Sequence, residues 1–238
     1  MPFNLTKLLE IIDKVYNYIF AMIFSVVLAV SLYVIFDSMY VVEQGGEIEE
    51  AINRIDDSEK DNRVKAMKKI NDEIIAWITI DDTKINYPVT QAKNNYFYLD
   101  HNYEKKYSIA GSIFADYRND IRKDMYTVIY GHNMDGQKMF GYLSEFDKEE
   151  FFNAHKTGKI YFEDNSYDLE ILTYGIVENK TRAIYNIEKN RNDIDVVLNT
   201  LQPLAKHKRD VKKQKYLLLS TCSSDMTKRV VLLVGYNE

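Results

Sequence analysis

The longest uninterrupted apolar stretch in the chain runs from Val15 to Phe36, without a charged residue and broken only by Asn17, Ser25 and Ser31. A helix of that length rises about 33 Å at about 1.5 Å per residue, enough to cross a hydrocarbon core about 30 Å thick. The alternative is a cleaved signal peptide, whose apolar core is about 7–15 residues long and ends at a small-residue cleavage site. Here the run continues into Tyr33, Ile35 and Phe36, so it reads as one transmembrane anchor over 15–36. Lys7 and Lys14 precede it, whereas Asp37, Glu43, Glu47, Glu49 and Glu50 follow with no nearby Lys or Arg. The positive-inside rule then puts residues 1–14 in the cytoplasm and 37–238 outside, in the membrane of a single-pass protein.

After Gln44-Gly45-Gly46 the pattern changes to Ile48, Ile52 and Ile55, then Val64, Met67, Ile70 and Ile74, at three- and four-residue spacing among many charges. That spacing predicts two amphipathic helices within 37–74, joined near Asp56 to Asp61. From Ile75 onward short apolar stretches rich in β-branched and aromatic residues alternate with polar turns. They predict strands near 75–80, 85–89, 111–115, 126–131, 159–163, 167–178, 215–221 and 229–236. Asp81 to Lys84 and Glu163 to Ser166 supply turns. Helical patterns fall at about 140–154 and 190–206. The strands are too many and too closely spaced for repeated βαβ units, so residues 75–238 are expected to form a mostly antiparallel closed sheet with added helices.

Composition narrows the function. Aromatic residues make up 13% of the chain, enough with the apolar runs for a packed core rather than disorder. Nine Gly and three Pro exclude collagen-like or Pro-rich filaments. A single Cys forms no internal disulfide and cannot build a four-cysteine zinc site; lying at position 222, it is also far from any N-terminal lipidation site. A net charge of −5 argues against generic nucleic-acid binding. The basic run Lys206 to Lys215 could touch anionic lipid or wall polymer. It lacks interleaved aromatics and reads better as a solvated helix end and loop.

Three residues stand where chemistry is plausible. Cys222 ends the run Tyr216 to Thr221, where the chain turns polar at Ser223-Ser224-Asp225. A lone Cys after an apolar strand is usually a buried filler, but an unpaired thiol on an oxidising outer face is a candidate nucleophile. His132 follows the predicted strand 126–131 and enters a loop, where an imidazole titrating near neutrality suits proton transfer. His101, His155 and His207 lack that setting. Arg229 opens the last apolar strand. If 215–221 and 229–236 are antiparallel neighbours, its guanidinium comes to the same sheet end as the thiol and can hold an oxyanion or peptide carbonyls. Taken singly, each has a bland reading: a packed thiol, a His satisfied by its loop, a strand-edge charge.

Together these residues resemble the sortases, cysteine transpeptidases of Gram-positive bacteria, and specifically class B. The resemblance lies in Leu219-Ser220-Thr221-Cys222 followed by Arg229, in Tyr130-Gly131-His132-Asn133, and in the N-terminal anchor. The class B character lies in Trp77 to Ile80 leading to Ile85-Asn86-Tyr87-Pro88-Val89, in Gly111 to Arg118, in Met139 to Leu143, and in a helix before the Cys strand. It extends over nearly all of residues 47–238.

The resemblance implies a closed eight-stranded β-barrel with N-terminal helices. It implies His132, Cys222 and Arg229 as the catalytic residues, and Asn95, Leu99, Thr181, Tyr185 and Ser220 as peptide contacts; Asp225 could orient the site. The implied reaction cleaves a C-terminal sorting signal of a secreted protein after Thr through a thioester acyl-enzyme. The acyl group then passes to a cell-wall precursor amine or a pilin Lys, with no metal or organic cofactor required. Two other readings stay open: a membrane-tethered cysteine peptidase, in which water resolves the thioester, and an anchored binding module whose Cys222 only packs.

Overall fold

The computed structural model describes residues 5–44, 62–222 and 227–238, with the backbone alone at Leu5, Leu8, Ser38, 41–44, Asp135 and Cys222. The first predicted amphipathic helix, near 47–55, and the loop residues Ser223, Ser224 and Asp225 lie outside the described residues. The chain divides into two compact units, Met1–Glu43 and Gln44–Glu238.

The first unit is built on one helix, Leu5–Gln44. Its section Leu9–Asp37 has a mean hydropathy of 2.7 and none of it is buried in the protein, so it is long and apolar enough to cross a membrane. Two of its polar side chains are satisfied within the helix: Ser25 Oγ donates to the Ala21 carbonyl and Ser31 Oγ to that of Val27, each at 2.8 Å. Such back-bonding satisfies the hydroxyl within its own helix.

The second unit is a β-barrel. Its strands are β1 Ile74–Ile80, β2 Asn86–Thr90, β3 Ile113–Ala115, β4 Tyr126–Tyr130, β5 Asn133–Met134, β6 Lys138–Met139, β7 Thr157–Tyr161, β8 Ser166–Glu178, β9 Ala205–Lys208, β10 Lys215–Cys222 and β11 Lys228–Tyr236. In the main sheet the order is β11-β10-β4-β3-β2-β1-β7-β8-β9, and a further pairing of β11 with β8 closes the ring. Eight strands make the closed barrel, and β9 hangs on the outside of β8. All of the ring pairs are antiparallel except β2 with β3 and β4 with β10.

The predicted strands correspond to these eight. Three further strands went unanticipated: the short β5–β6 hairpin and β9. The second predicted amphipathic helix is shorter than its pattern, since the helix covers only Arg63–Lys68 and Ile74 already belongs to β1. Val64 and Met67 are its buried positions. The predicted helix at 140–154 is a 3-10 segment, Phe140–Asp147, followed by an α-helix, Glu149–Ala154, with Lys148 extended between them. The pattern at 190–206 resolves into helices Ile187–Asn190 and Asp195–Leu201 and the 3-10 turn Gln202–Leu204.

Two cores explain the sequence of β10. Leu217 and Leu219 point into the barrel with Ile78, Phe140 and Leu232, while Tyr216 and Leu218 join Val128, Ile184, Ile187 and Val197 in an outer layer under the helices. A strand covered on both faces reads as a continuous apolar run, not as an alternation. This double burial fixes the strand's register, because a slip of one residue would exchange the two faces.

The basic run is largely neutralised by its own surroundings. Lys206 pairs with Asp147 at 2.6 Å, Lys213 with Glu170 at 2.5 Å and Lys208 with Asp210 at 3.6 Å. Lys215 Nζ donates to the carbonyls of Arg122 and Lys123, and Arg209 covers the Phe152 ring at 3.9 Å. The segment is an edge strand and its loop rather than a helix end, and its lysines suit an edge that must not pair with another chain.

Candidate active site

The register of three strands assembles the candidate site. β4 and β10 run parallel, with Tyr216 opposite Tyr126 and Ser220 opposite Tyr130. Both chains therefore leave the barrel at the same end: His132 lies two residues beyond Tyr130, and Cys222 two beyond Ser220. Gly131 N–H continues the ladder by donating to the Ser220 carbonyl at 3.2 Å. The antiparallel pair β10–β11 then sets Cys222 directly opposite Arg229. Position 132, far in sequence from 222 and 229, therefore lies at the same rim as both.

His132 is held by its backbone. Phe140 N–H donates to its carbonyl at 3.0 Å, closing the β5–β6 hairpin. At the hairpin's tip Gly136 has φ +72°, and at its base Met139, though not a glycine, has φ +53°. The Met139 N–H is fixed by donating to the buried Tyr87 hydroxyl at 2.9 Å. The imidazole is half-buried, and its Nε2 lies 2.6 Å from the Leu99 carbonyl. The other three histidines are engaged locally. His101 Nδ1 meets the Phe97 carbonyl, His155 Nδ1 that of Phe151, and His207 Nε2 that of Asp147, each at 2.9 Å.

Gly131 precedes His132 where no side chain fits. A Cβ there would lie 2.4 Å from Ile113 Cδ1 and 2.8 Å from Phe140 Cδ2. Phe140 is fully buried and its N–H holds His132 in place. Gly131→Ala is expected to cost about 1–3 kcal/mol of stability by overpacking and to lower activity through His132. Urea unfolding alongside turnover checks this; an unchanged midpoint would show that the pocket can yield.

Arg229 is half-buried, with its guanidinium carbon 5.8 Å from the centre of the Tyr185 ring, within cation–π range. Tyr185 ends the 3-10 turn Arg182–Tyr185, and its hydroxyl shares a hydrogen bond of 2.8 Å with Ser220 Oγ. The Tyr130 ring stacks beside it at 6.3 Å. Ser220, Tyr185 and Arg229 are thus in one contact chain leading to the rim. Thr181 is half-buried at the start of the same turn, its N–H donating to the Glu178 carbonyl at 2.8 Å. It makes no described contact with His132 or Arg229. Leu99, 41% exposed, ends the 3-10 turn Phe97–Leu99 beside His132.

Asn95 leads to a group that sequence reasoning passed over. Its amide donates to Asp116 Oδ2 at 2.9 Å, and its carbonyl accepts from Tyr117 N–H at 2.9 Å. Asp116 is fully buried, yet its carboxylate also accepts two hydrogen bonds from the Arg118 guanidinium at 2.8 Å each, one from Arg118 N–H at 3.0 Å and one from the Tyr130 hydroxyl at 3.1 Å. Burial pushes this carboxyl up, but the Arg118 and Asn95 hydrogen bonds outweigh it and hold it below the usual Asp range. Arg118 reaches on to the Tyr185 carbonyl at 3.3 Å. This ion pair, its carboxylate buried and its guanidinium 31% exposed, therefore braces both tyrosines beside Arg229. Asp116 and Arg118 belong to the Gly111 to Arg118 stretch, but nothing in their spacing signals that the carboxylate is internal.

Comparison with known proteins agrees with this architecture. The Sortase domain family matches residues 78–234. Sortase B of Listeria monocytogenes is 34% identical over 171 residues, covering 69% of this chain and 68% of that protein. The crystal structure of Clostridium perfringens sortase B superposes with a TM-score of 0.65 at 32% identity, over 73% of this chain and 99% of that one. A Streptococcus pyogenes class B sortase involved in pilus biogenesis gives a TM-score of 0.66 at 30% identity, over 72% and 96%. A closed mixed barrel of this topology defines a sortase scaffold. The chain belongs to the sortase family of cysteine transpeptidases, and within it to class B.

Proposed function

We propose that this sortase is a single-pass membrane protein that cleaves a C-terminal sorting signal after Thr and joins the new carboxyl group to an amine. Residues 1–14 are cytoplasmic, 15–36 span the membrane, 37–74 lead outward, and 75–238 form the extracellular catalytic domain. The supporting observation for the catalytic assignment is the strand register, which sets Cys222 opposite Arg229 and brings His132 out at the same rim.

The Cys222 thiolate attacks the Thr carbonyl, forming a C–S bond. Arg229 stabilises the oxyanion of the tetrahedral intermediate, a role that a fixed guanidinium fills well. His132 takes up the thiol proton and delivers it to the departing amine as the C–N bond breaks. The thioester conserves acyl energy for the second half, in which His132 deprotonates the incoming amine and returns the proton to sulfur. Asn95, Leu99, Thr181 and Tyr185 line the peptide's path, and the fully buried Ser220 acts on it through its hydrogen bond to the Tyr185 hydroxyl. The acceptor is a cell-wall precursor amine; a pilin Lys is the alternative suggested by the Streptococcus relative.

The test is incubation of the full chain in detergent with sorting-signal peptides and a peptide amine, with products read by mass spectrometry. An amide between the Thr carboxyl and the added amine is the expected product. Hydrolysis alone would count for the peptidase, and no cleavage by native protein for the binding module.

A further inference from the structure

The 2.6 Å contact between His132 Nε2 and the Leu99 carbonyl constrains where the imidazole proton lies. A carbonyl only accepts, so Nε2 carries the proton of this bond, and in the neutral ring Nδ1 keeps its lone pair. We infer that the Leu99 carbonyl is a positioning group for the transfer reaction. It fixes His132 as the Nε2–H tautomer, so that Nδ1 is the atom that moves protons, and Gly111 is the residue that lets the carbonyl stand there. The inference rests on the acyl-transfer reading above.

The carbonyl is held firmly. Leu99 N–H donates to the Tyr96 carbonyl at 3.1 Å, and Asn94 Oδ1 accepts from the N–H groups of Tyr96 and Phe97 at 2.8 and 3.0 Å. Ser112 N–H donates to the Tyr98 carbonyl at 2.9 Å. The buried Tyr98 hydroxyl accepts from Asn71 Nδ2 at 2.8 Å and donates to Glu73 Oε2 at 2.7 Å.

Gly111 is required twice over. Its φ is +60°, and a Cβ there would stand 2.6 Å from the Tyr98 carbonyl oxygen and 2.7 Å from that of Leu99. Both obstacles are backbone atoms, so they cannot swing aside as a side chain would. Any other L-residue at 111 must push the turn, and with it the acceptor of the His132 bond.

The arrangement separates two duties of the ring. Nε2–H stays committed to Leu99 throughout, while the thiol proton passes to Nδ1 and on to the departing amine nitrogen. A neutral carbonyl fixes the tautomer as a carboxylate would, without adding a negative charge beside the ring.

The test uses the full chain in detergent micelles with 15N-labelled histidine, His132 being assigned by the resonances lost in His132→Gln. Native protein is expected to show a protonated Nε2, an unprotonated Nδ1 and a slowly exchanging Hε2. In Gly111→Ala the protection is lost, the ring moves toward the pattern of free imidazole, and kcat falls about a hundredfold, the lower end of general acid–base assistance. An Nδ1–H tautomer, or a solvent-averaged ring in the native protein, would overturn the inference without recourse to any variant. So would a Gly111→Ala protein that loses the Hε2 protection but keeps its kcat. If native protein holds the Nε2–H bond yet makes no amide, the acyl-transfer reading fails and the positioning role falls with it, while the tautomer assignment stands.

Discussion

Cys222→Ala is expected to lower amide formation by about 10⁴-fold or more, leaving only the weak acceleration that binding and oxyanion stabilisation provide without a nucleophile. The variant keeps every barrel pairing, because Cys222 enters the sheet through its backbone opposite Arg229. Its circular dichroism should therefore match that of the native protein while no thioester is trapped. Residues acting as one unit are strongly non-additive, so the double variant Cys222→Ala/His132→Ala should be scarcely slower than Cys222→Ala alone. Retention of more than about 1% of native turnover by Cys222→Ala would remove the thiol from the reaction. Quantifying the amide product by mass spectrometry decides between these outcomes.

The largest stability effect is expected at Asp116. Its carboxylate is fully buried and meets the Arg118 guanidinium, Asn95 and Tyr130. Asp116→Ala removes a buried acceptor of hydrogen bonds from Arg118, Asn95 and Tyr130 and leaves those donors without it, a loss of about 3–5 kcal/mol at about 1.5–3 kcal/mol for each bond to a charged group. For a unit of this size the Tm should fall on the order of 10 °C. Turnover should drop further than the folded fraction does, because the braced Tyr185 and Tyr130 carry Arg229 and Ser220.

The pH dependence has a definite sign. The folded carboxyl lies below the usual Asp value, so the unfolded chain takes up a proton first as pH falls. The pair's contribution is complete above about pH 4 and is lost as pH falls through the lower folded value. In Asp116→Asn this component of acid sensitivity disappears, and the stability gap to the native protein should narrow below about pH 4. Thermal melts of both proteins from neutral to acid pH measure that gap; a gap constant across the range would show that the fold does not hold the Asp116 carboxyl below its unfolded value.

The barrel was legible because its strands are compact apolar runs ended by turn residues, such as Ile74–Ile80 before Asp81 to Lys84. In that turn Asp82 has φ +57°, and Thr83 Oγ donates to the Ile80 carbonyl at 2.8 Å. Strand β9 was hidden because Ala205, Lys206, His207 and Lys208 offer only half-buried and exposed positions in alternation. The helix at Arg63–Lys68 was overextended because Ile70 and Ile74 continue its spacing although the chain turns at Asn71. The residues of the candidate site were legible as chemistry, but not their supports. Hydropathy counts Asp116 and Arg118 as surface residues, and only the convergence of Asn95, Tyr130 and Tyr185 makes that position internal. Gly111 likewise reads as a simple turn residue until the Leu99 carbonyl is seen against it.

The parallel pairing of β4 with β10 bears on when the protein becomes able to act. Such a pair joins residues far apart in the chain and pays its loop-closure entropy before any ladder forms. During synthesis the imidazole leaves the ribosome long before Cys222 and Arg229, which arrive with the last two strands. A nascent chain thus lacks the proposed nucleophile and oxyanion cation until the β10–β11 hairpin emerges and closes the ring. Activity switches on with completion of the barrel, and a truncated product lacking that hairpin would be inert toward its neighbours.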